Sequence, residues 1–304
     1  MATTHCPLPT AHQPLKTTTL SNTSSSDTFS GDAADEAAIE IVRADFPRGP
    51  FRAALFDFDG TLSLVRRGWQ DVMIPMMVNH LAATPTEESA ERLRGVVEDF
   101  VARLTGRQTI YQMMQLAEEV ARRGGAPREP LDYKREYHDL LWRQVGDRVA
   151  SLQSGAVRPE ELAVPRSHAL LAALAERGMA LYLASGTDLT YVRDEVGALG
   201  MTAYFAPHIY GALDDYRQFS KAKIIARILG EMEVAGSQIV GFGDGYVEIE
   251  EVKRVGGLAI GVASNEESCR GVNQWKRRRL IDAGADIIVG DYRALDELLA
   301  TIGV

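Results

Sequence analysis

Cysteine is scarce in this chain: Cys6 and Cys269 are the only two in 304 residues. A disulfide framework is not expected, and a reducing, cytoplasmic setting fits. The six histidines show no metal-ligand spacing with each other or with cysteine, so no zinc site is expected. No stretch approaches the roughly 18 to 20 consecutive apolar residues that a membrane span needs. Positive charge is not in excess either. The formal net charge is −9, so no overall basic field would draw nucleic acid as the main partner. A small phosphorylated molecule is still compatible, because a local site can be positive on an acidic protein. Residues 1–35 lack apolar residues in the number that folding needs. They are rich in Ser and Thr, as in Thr17-Thr18-Thr19 and Ser24-Ser25-Ser26. They have no charged start followed by an apolar core, and no arginine. A disordered tail is expected there, rather than a secretory signal or an organelle transit peptide.

The remaining composition, 45% hydrophobic and 25% charged, is that of a soluble globular protein. The stretch Ala53-Ala54-Leu55-Phe56-Asp57-Phe58-Asp59-Gly60-Thr61-Leu62 carries the most information. Ala53 to Phe56 is an apolar run of strand length, and Gly60 punctuates its end. Asp57 and Asp59 are two apart, so a regular strand would point both to one face. Two carboxylates on one face repel unless a cation neutralises them or one holds a proton. A hard, oxygen-seeking ion such as Mg²⁺ is the natural partner.

Residues 36–50 read as a short helix or strand closed by Pro47-Arg48-Gly49-Pro50, with the choice left open. From 64 to 164 the pattern is helical. Arg66 to Ala83 reads as a helix that Pro75 should kink or break. Apolar residues recur at helical spacing over 87–106, again at Ile110, Met113, Met114, Ala117 and Val120, and again at Tyr133, Tyr137, Leu140, Leu141 and Val145. These Met and aromatic stripes read as core packing. From 165 onward helices and strands alternate, with strands expected at 180–184, 204–210, 238–242, 258–263 and 286–289. Such alternation implies an α/β fold with a parallel sheet covered on both faces, whose ligand site lies at the carboxyl ends of the strands. Asp57, Ser185 and Asp244 each fall at such an end. Ser185-Gly186-Thr187-Asp188 reads either as a turn with an N-cap or as an oxyanion site, where the Ser185 hydroxyl and following N–H groups meet a phosphoryl oxygen. The run Trp275-Lys276-Arg277-Arg278-Arg279 reads as a solvated helix face.

The Asp57 stretch resembles the first motif of the haloacid dehalogenase superfamily, D-x-D-G-T, and three later segments resemble its other motifs in order. Ser185 stands where the family has a Ser or Thr at a strand end. Lys221 stands where it has a Lys at a helix start, with Lys223 the competing assignment. Gly243-Asp244-Gly245-Tyr246-Val247-Glu248 resembles G-D-G-x-x-D, and Glu248 departs from the usual Asp. The resemblance covers residues 53–304. It implies a Rossmann-like core at 36–63 and 165–304 with an all-helical cap inserted at 64–164. It implies a Mg²⁺-dependent phosphatase acting on a small phosphorylated metabolite, a sugar phosphate or a phospho-acid. Asp57 would be the nucleophile and Asp59 the general acid/base. Mg²⁺ would be held by Asp57, Asp59 through its backbone carbonyl, and Asp244, with Glu248, one methylene longer than the usual Asp, joining the metal site through water or from behind the direct ligands. Ser185, Gly186 and Lys221 would hold the phosphoryl oxygens. Arg66 and Arg67 either meet a second anionic group of the substrate or are exposed helix charges. A phosphotransferase of the β-phosphoglucomutase type would share every motif. A dehalogenase would lack the second Asp, and a non-catalytic binding protein would be expected to have lost one of the acids.

Overall fold

The strand β2 (Ala53–Phe56) lies inside a seven-stranded sheet formed by the described residues of a computed structural model, 39–304. The expected disordered tail at 1–35 lies outside the described residues. The strand order is β1-β7-β6-β5-β2-β3-β4, with β1 (Ile39–Ile41), β3 (Ala180–Asp188), β4 (Ile209–Ala212), β5 (Ile239–Gly243), β6 (Leu258–Val262) and β7 (Ile287–Val289). All neighbours are parallel except β1, which pairs antiparallel with β7 at one edge. That resolves the open choice at residues 36–50 in favour of a strand.

Buried on both faces, the central strands need no polar alternation. β2 shows this: Ala54 and Phe56 join one hydrophobic cluster, Ala53 and Leu55 the other. The first cluster takes in α5 (Ser167–Glu176), α6 (Leu189–Ala198) and α11 (Leu295–Ile302). Phe205, at the end of the short helix α7 (Thr202–Phe205), packs edge-on against Phe56. The second cluster takes in α8 (Lys221–Met232), α9 (Tyr246–Arg254) and α10 (Gln274–Asp282), through Ile224, Ile225, Ile228, Ile249, Val252 and Leu280.

Between β2 and α5 the chain forms four α-helices: α1 (Trp69–Ala82), α2 (Ala90–Leu104), α3 (Thr109–Arg122) and α4 (Pro130–Gln153). They pack on one another, and their buried side chains are continuous with the first cluster of the sheet. The helix α1 runs through Pro75 without a break. Pro75 deprives the Asp71 carbonyl of its donor, and both residues are exposed, so water can take the donor's place.

Three expected elements differ. The strand expected at 204–210 is instead helix α7 followed by β4. Pro207 has no N–H for a ladder, and the strand begins beyond it. β3 does not end at Ala184. It continues through Ser185 to Asp188 with a register shift, so the expected turn there is strand. Asp188 precedes α6 but makes no side-chain cap; its carboxylate pairs with Lys134 of α4 instead. Helix α1 starts at Trp69, so Arg66 and Arg67 lie before it.

Candidate active site

β2 has β5 on one side and β3 on the other, so the chain's progression across the sheet reverses here. Crevices at such switch points, outside the carboxyl ends of parallel strands, are where ligands bind in open α/β sheets. Asp57 follows β2 directly, Asp244 follows β5 directly, and Ser185 and Thr187 lie in the last part of β3. All line one cavity of about 100 Å³, together with Asp59, Gly186, Arg66 and Arg67.

Asp57 is 7% exposed, and its N–H donates to the Phe242 carbonyl of β5 at 2.9 Å. Lys221, at the first position of α8, brings Nζ to 3.1 Å from Asp57 Oδ1 and donates to Glu248 Oε2 at 2.6 Å. Lys223, the competing assignment, donates to the Arg217 carbonyl near the surface. Glu248 Oε1 accepts from the Gly245 N–H at 2.6 Å. Carboxylate oxygens of Asp57, Asp244 and Glu248 converge to within 4.8 Å of one another.

Burial pushes the Asp57 carboxyl well above the usual range. Lys221 opposes that shift, while Glu248, Asp244 and Asp59 reinforce it. Burial disfavours the Lys221 ammonium, but Asp57 and Glu248 outweigh it and hold the lysine above its ordinary value. The fixed cations thus do not neutralise the acids around Asp57. The donor set is all oxygen and anionic, which suits a hard divalent ion. One oxygen of Asp57 and one of Asp244 face nearby ammonium groups, which leaves the other free. Both Glu248 oxygens already accept hydrogen bonds. The residues therefore fit Mg²⁺ through Asp57 and Asp244 better than through Glu248.

Asp59 sits in different company. Its Oδ2 accepts from Thr187 Oγ1 at 2.9 Å and from Ser185 Oγ at 3.4 Å. Its Oδ1 is buried without a hydrogen-bond partner and lies 3.9 Å from Arg66 Nε. Burial raises its pKa, with Arg66 and then Thr187 opposing. Arg66 is 6% exposed and is no surface charge. It donates to Glu195 of α6 through Nε and Nη2, the shortest contact 2.6 Å. Arg67 is half-buried and makes no ion pair among the described residues; its carbonyl accepts from Arg148 of α4 at 2.8 Å.

Glycines permit the close packing around the acids. Gly60 has φ +73°, and a Cβ there would overlap the Asp244 carboxylate. A Cβ on Gly186 would come to 3.0 Å from the Arg107 carbonyl, and one on Gly106 to 3.1 Å from Gly245 Cα. The loop between α2 and α3 is thereby seated directly on the strand-end loops. Gln108 fastens it by donating to the carbonyls of Tyr216 and Phe219 at 3.1 and 3.0 Å. Arg107 donates to the Tyr246 hydroxyl at 2.8 Å.

Sequence reasoning missed Thr187, Glu195, Glu266 and Lys276. Lys276 is the clearest miss, since it lies in the run read as a solvated face yet is 8% exposed. Its Nζ is 2.7 Å from Asp244 Oδ2, 2.6 Å from Glu266 Oε1 and 3.2 Å from Ser264 Oγ. The available signal was spacing. Lys276 is four before Leu280, and Leu280 faces the sheet. Trp275 and its neighbours do flank that buried position with exposed or half-buried side chains.

Comparison with solved structures finds the same fold at low identity. A haloacid dehalogenase-like protein of unknown function from Agrobacterium tumefaciens is 19% identical, with a TM-score of 0.55 over 84% of this chain and 100% of that one. A predicted phosphoglycolate phosphatase from Haemophilus somnus is 15% identical, with a TM-score of 0.55 over 82% and 97%. A β-phosphoglucomutase from Clostridium difficile is 13% identical, with a TM-score of 0.54 over 83% and 97%. A comparison with curated proteins finds no match. The family model for haloacid dehalogenase-like hydrolases matches residues 51–256, more than half of the sequence, from just before β2 to just after α9. With the four motifs gathered at one switch point, the chain belongs to the haloacid dehalogenase-like hydrolase family.

Proposed function

We propose that the protein is a Mg²⁺-dependent phosphomonoesterase working through an aspartyl-phosphate on Asp57. The observation that carries this reading is the division of labour between two carboxylates two residues apart. Asp57 faces Lys221 and the acidic cluster, as a nucleophile aimed at an anion requires. Asp59 faces Thr187, Ser185 and Arg66, and its raised pKa suits a proton donor. A carboxylate oxygen of Asp57 attacks phosphorus and the bond from phosphorus to the ester oxygen breaks. The leaving alkoxide takes the proton of Asp59. Water then attacks the phosphoryl-aspartate, Asp59 takes its proton, and phosphate departs with Asp57 restored. Ser185, the Gly186 N–H and Lys221 offset charge on the equatorial oxygens. Asp57, the Asp59 carbonyl and Asp244 would hold Mg²⁺, with Glu248 fixing Lys221 behind them; the ion would supply positive charge for the transferring group.

The helices at 64–164 act as the cap and residues 36–63 with 165–304 as the core. The close approaches of Gly106 to Gly245 and of Gly186 to Arg107 support a cap that shuts water out while the leaving group is present. The substrate is a small phosphorylated metabolite, and the half-buried, unpaired Arg67 suits an anionic or polar edge of it. No described helix is long and apolar enough to cross a membrane, and the two cysteines fit a reducing cytoplasm. The test is phosphate release from a panel of sugar phosphates and phospho-acids with Mg²⁺ or EDTA. Mg²⁺-dependent release is expected. Transfer of the phosphoryl group between two positions of one sugar, without net release, would replace the phosphatase reading with a mutase.

A further inference from the structure

Part of the cavity lining comes from the helices between β2 and α5. Gln112 of α3 and Tyr137 of α4 both line it, and each is 4% exposed. Neither side chain makes a hydrogen bond with another described residue. Gln108, one turn before Gln112, lies outside the cavity lining: its amide nitrogen donates to two backbone carbonyls and its Oε1 is buried without a partner. The polar atoms of Gln112 and Tyr137 are not among the fully enclosed, unpartnered ones, so they open onto the cavity. Two polar groups that meet no protein partner and open onto the cavity that holds the acids are a surface able to bind a ligand's hydrogen-bonding groups.

The partner's chemistry follows from the groups. An amide offers both a donor and an acceptor, and so does a phenol. Burial holds the Tyr137 hydroxyl above the ordinary tyrosine range, so it stays protonated. Alcohol groups satisfy both kinds of site. A carboxylate only accepts, and would leave the Gln112 carbonyl unpaired against negative charge. Trp69 and Met73 add apolar surface, which suits the C–H groups of a carbon chain, and Thr105, Arg107 and Thr109 line the same cavity. The cavity of about 100 Å³ is small beside the roughly 300–1,000 Å³ of drug-sized ligand sites.

We propose that Gln112 and Tyr137 read hydroxyl groups of the leaving alcohol, so that the preferred substrates are phosphomonoesters of short polyols or sugars rather than of hydroxyl-free acids. This rests on the phosphatase reading of the same cavity. It is tested by kcat/KM for glycerol 3-phosphate, erythrose 4-phosphate and ribose 5-phosphate against 2-phosphoglycolate, in the wild type, Gln112→Met and Tyr137→Phe. The wild type should favour at least one polyol or sugar ester by tenfold or more. Each near-isosteric substitution should cut that preference by about tenfold, the worth of one hydrogen bond of about 1.4 kcal/mol, chiefly through KM. A preference for phosphoglycolate, or ratios unmoved by both substitutions, would overturn the inference. Thermal shift of Asp57→Asn with the same esters separates the two levels. If the wild type releases no phosphate from any ester, the phosphatase reading fails. A larger shift with ribose 5-phosphate than with phosphoglycolate, lost on adding Gln112→Met, would still uphold hydroxyl recognition. Equal shifts would sink it.

Discussion

Asp57 and Asp59 are neighbours in sequence but not in electrostatics, and the difference lies in which cation each one meets. Lys221 reaches Asp57 from α8, whereas Arg66 lies closest to Asp59 with its charge mostly engaged by Glu195. Asp59→Asn keeps the shape but removes the proton donor, and should lower kcat roughly 10²- to 10⁴-fold, the usual range for a general acid. Steady-state rates check this, and a loss below tenfold would remove Asp59 from that role. Lys276 makes a separate point. It is buried between Asp244 and Glu266, so Lys276→Met leaves two carboxylates facing each other without their cation. Breaking a buried pair in this way should cost about 3–5 kcal/mol. Urea unfolding without metal measures it, and an unchanged midpoint would show that the pairing contributes nothing. The sequence hid Lys276 because a run of four basic residues looks like a solvated face. It hid the part of Tyr137 in the cavity because a buried tyrosine in a helical stripe has the same periodicity whether its hydroxyl meets protein or ligand.

At the scale of elements, the short apolar strands were legible because a strand buried on both faces is a run of Val, Ile, Leu, Phe and Ala with a glycine or an acid at its end. The misread stretch around Pro207 failed for the complementary reason. Tyr204, Phe205, Ile209 and Tyr210 are all strand-compatible, and tertiary packing of Phe205 on Phe56 decided the first pair for a helix. The contacts of the inserted helices with the sheet were not legible, since they join residues far apart in the chain. One of them titrates. His138 of α4 stacks on Tyr191 of α6, with Nε2 3.4 Å from Asp188 Oδ2 and Lys134 and Arg66 nearby. Burial lowers its pKa to about 4, with Asp188 opposing. Between pH 6.5 and 4 the unfolded chain therefore binds the proton that the folded chain refuses. Stability is full above that window and falls as pH drops through it, by at most about 3 kcal/mol. His138→Phe keeps the stacking ring and should flatten the decline of Tm between pH 7 and pH 5; an equally steep decline would place the acid sensitivity elsewhere. The seating of the α2–α3 loop depends on Gly106, with φ +96° and Gly245 close by. Gly106→Ala should loosen that contact and lower kcat about tenfold or more, with faster amide exchange at residues 105–109 as the structural check.

Over the described residues the protein is a largely parallel sheet whose reversal point collects acids from the ends of β2 and β5 and hydroxyls from β3, with helices that supply further wall of the cavity. The order of the four motifs and the α/β alternation made the sheet and the acids readable from residues alone, because topology forces strand ends of a parallel sheet to one edge. The helical part of the cavity wall was not readable, because Gln112 and Tyr137 reach it from helices far from the acids in sequence. The most direct test of the central claim is mass spectrometry of enzyme quenched in acid during turnover of a reactive phosphomonoester with Mg²⁺. The account predicts a phosphoryl adduct on the peptide that carries Asp57, absent in Asp57→Asn and absent with EDTA. Phosphate release that proceeds in Asp57→Asn at the wild-type rate, with no adduct at any time, would contradict it.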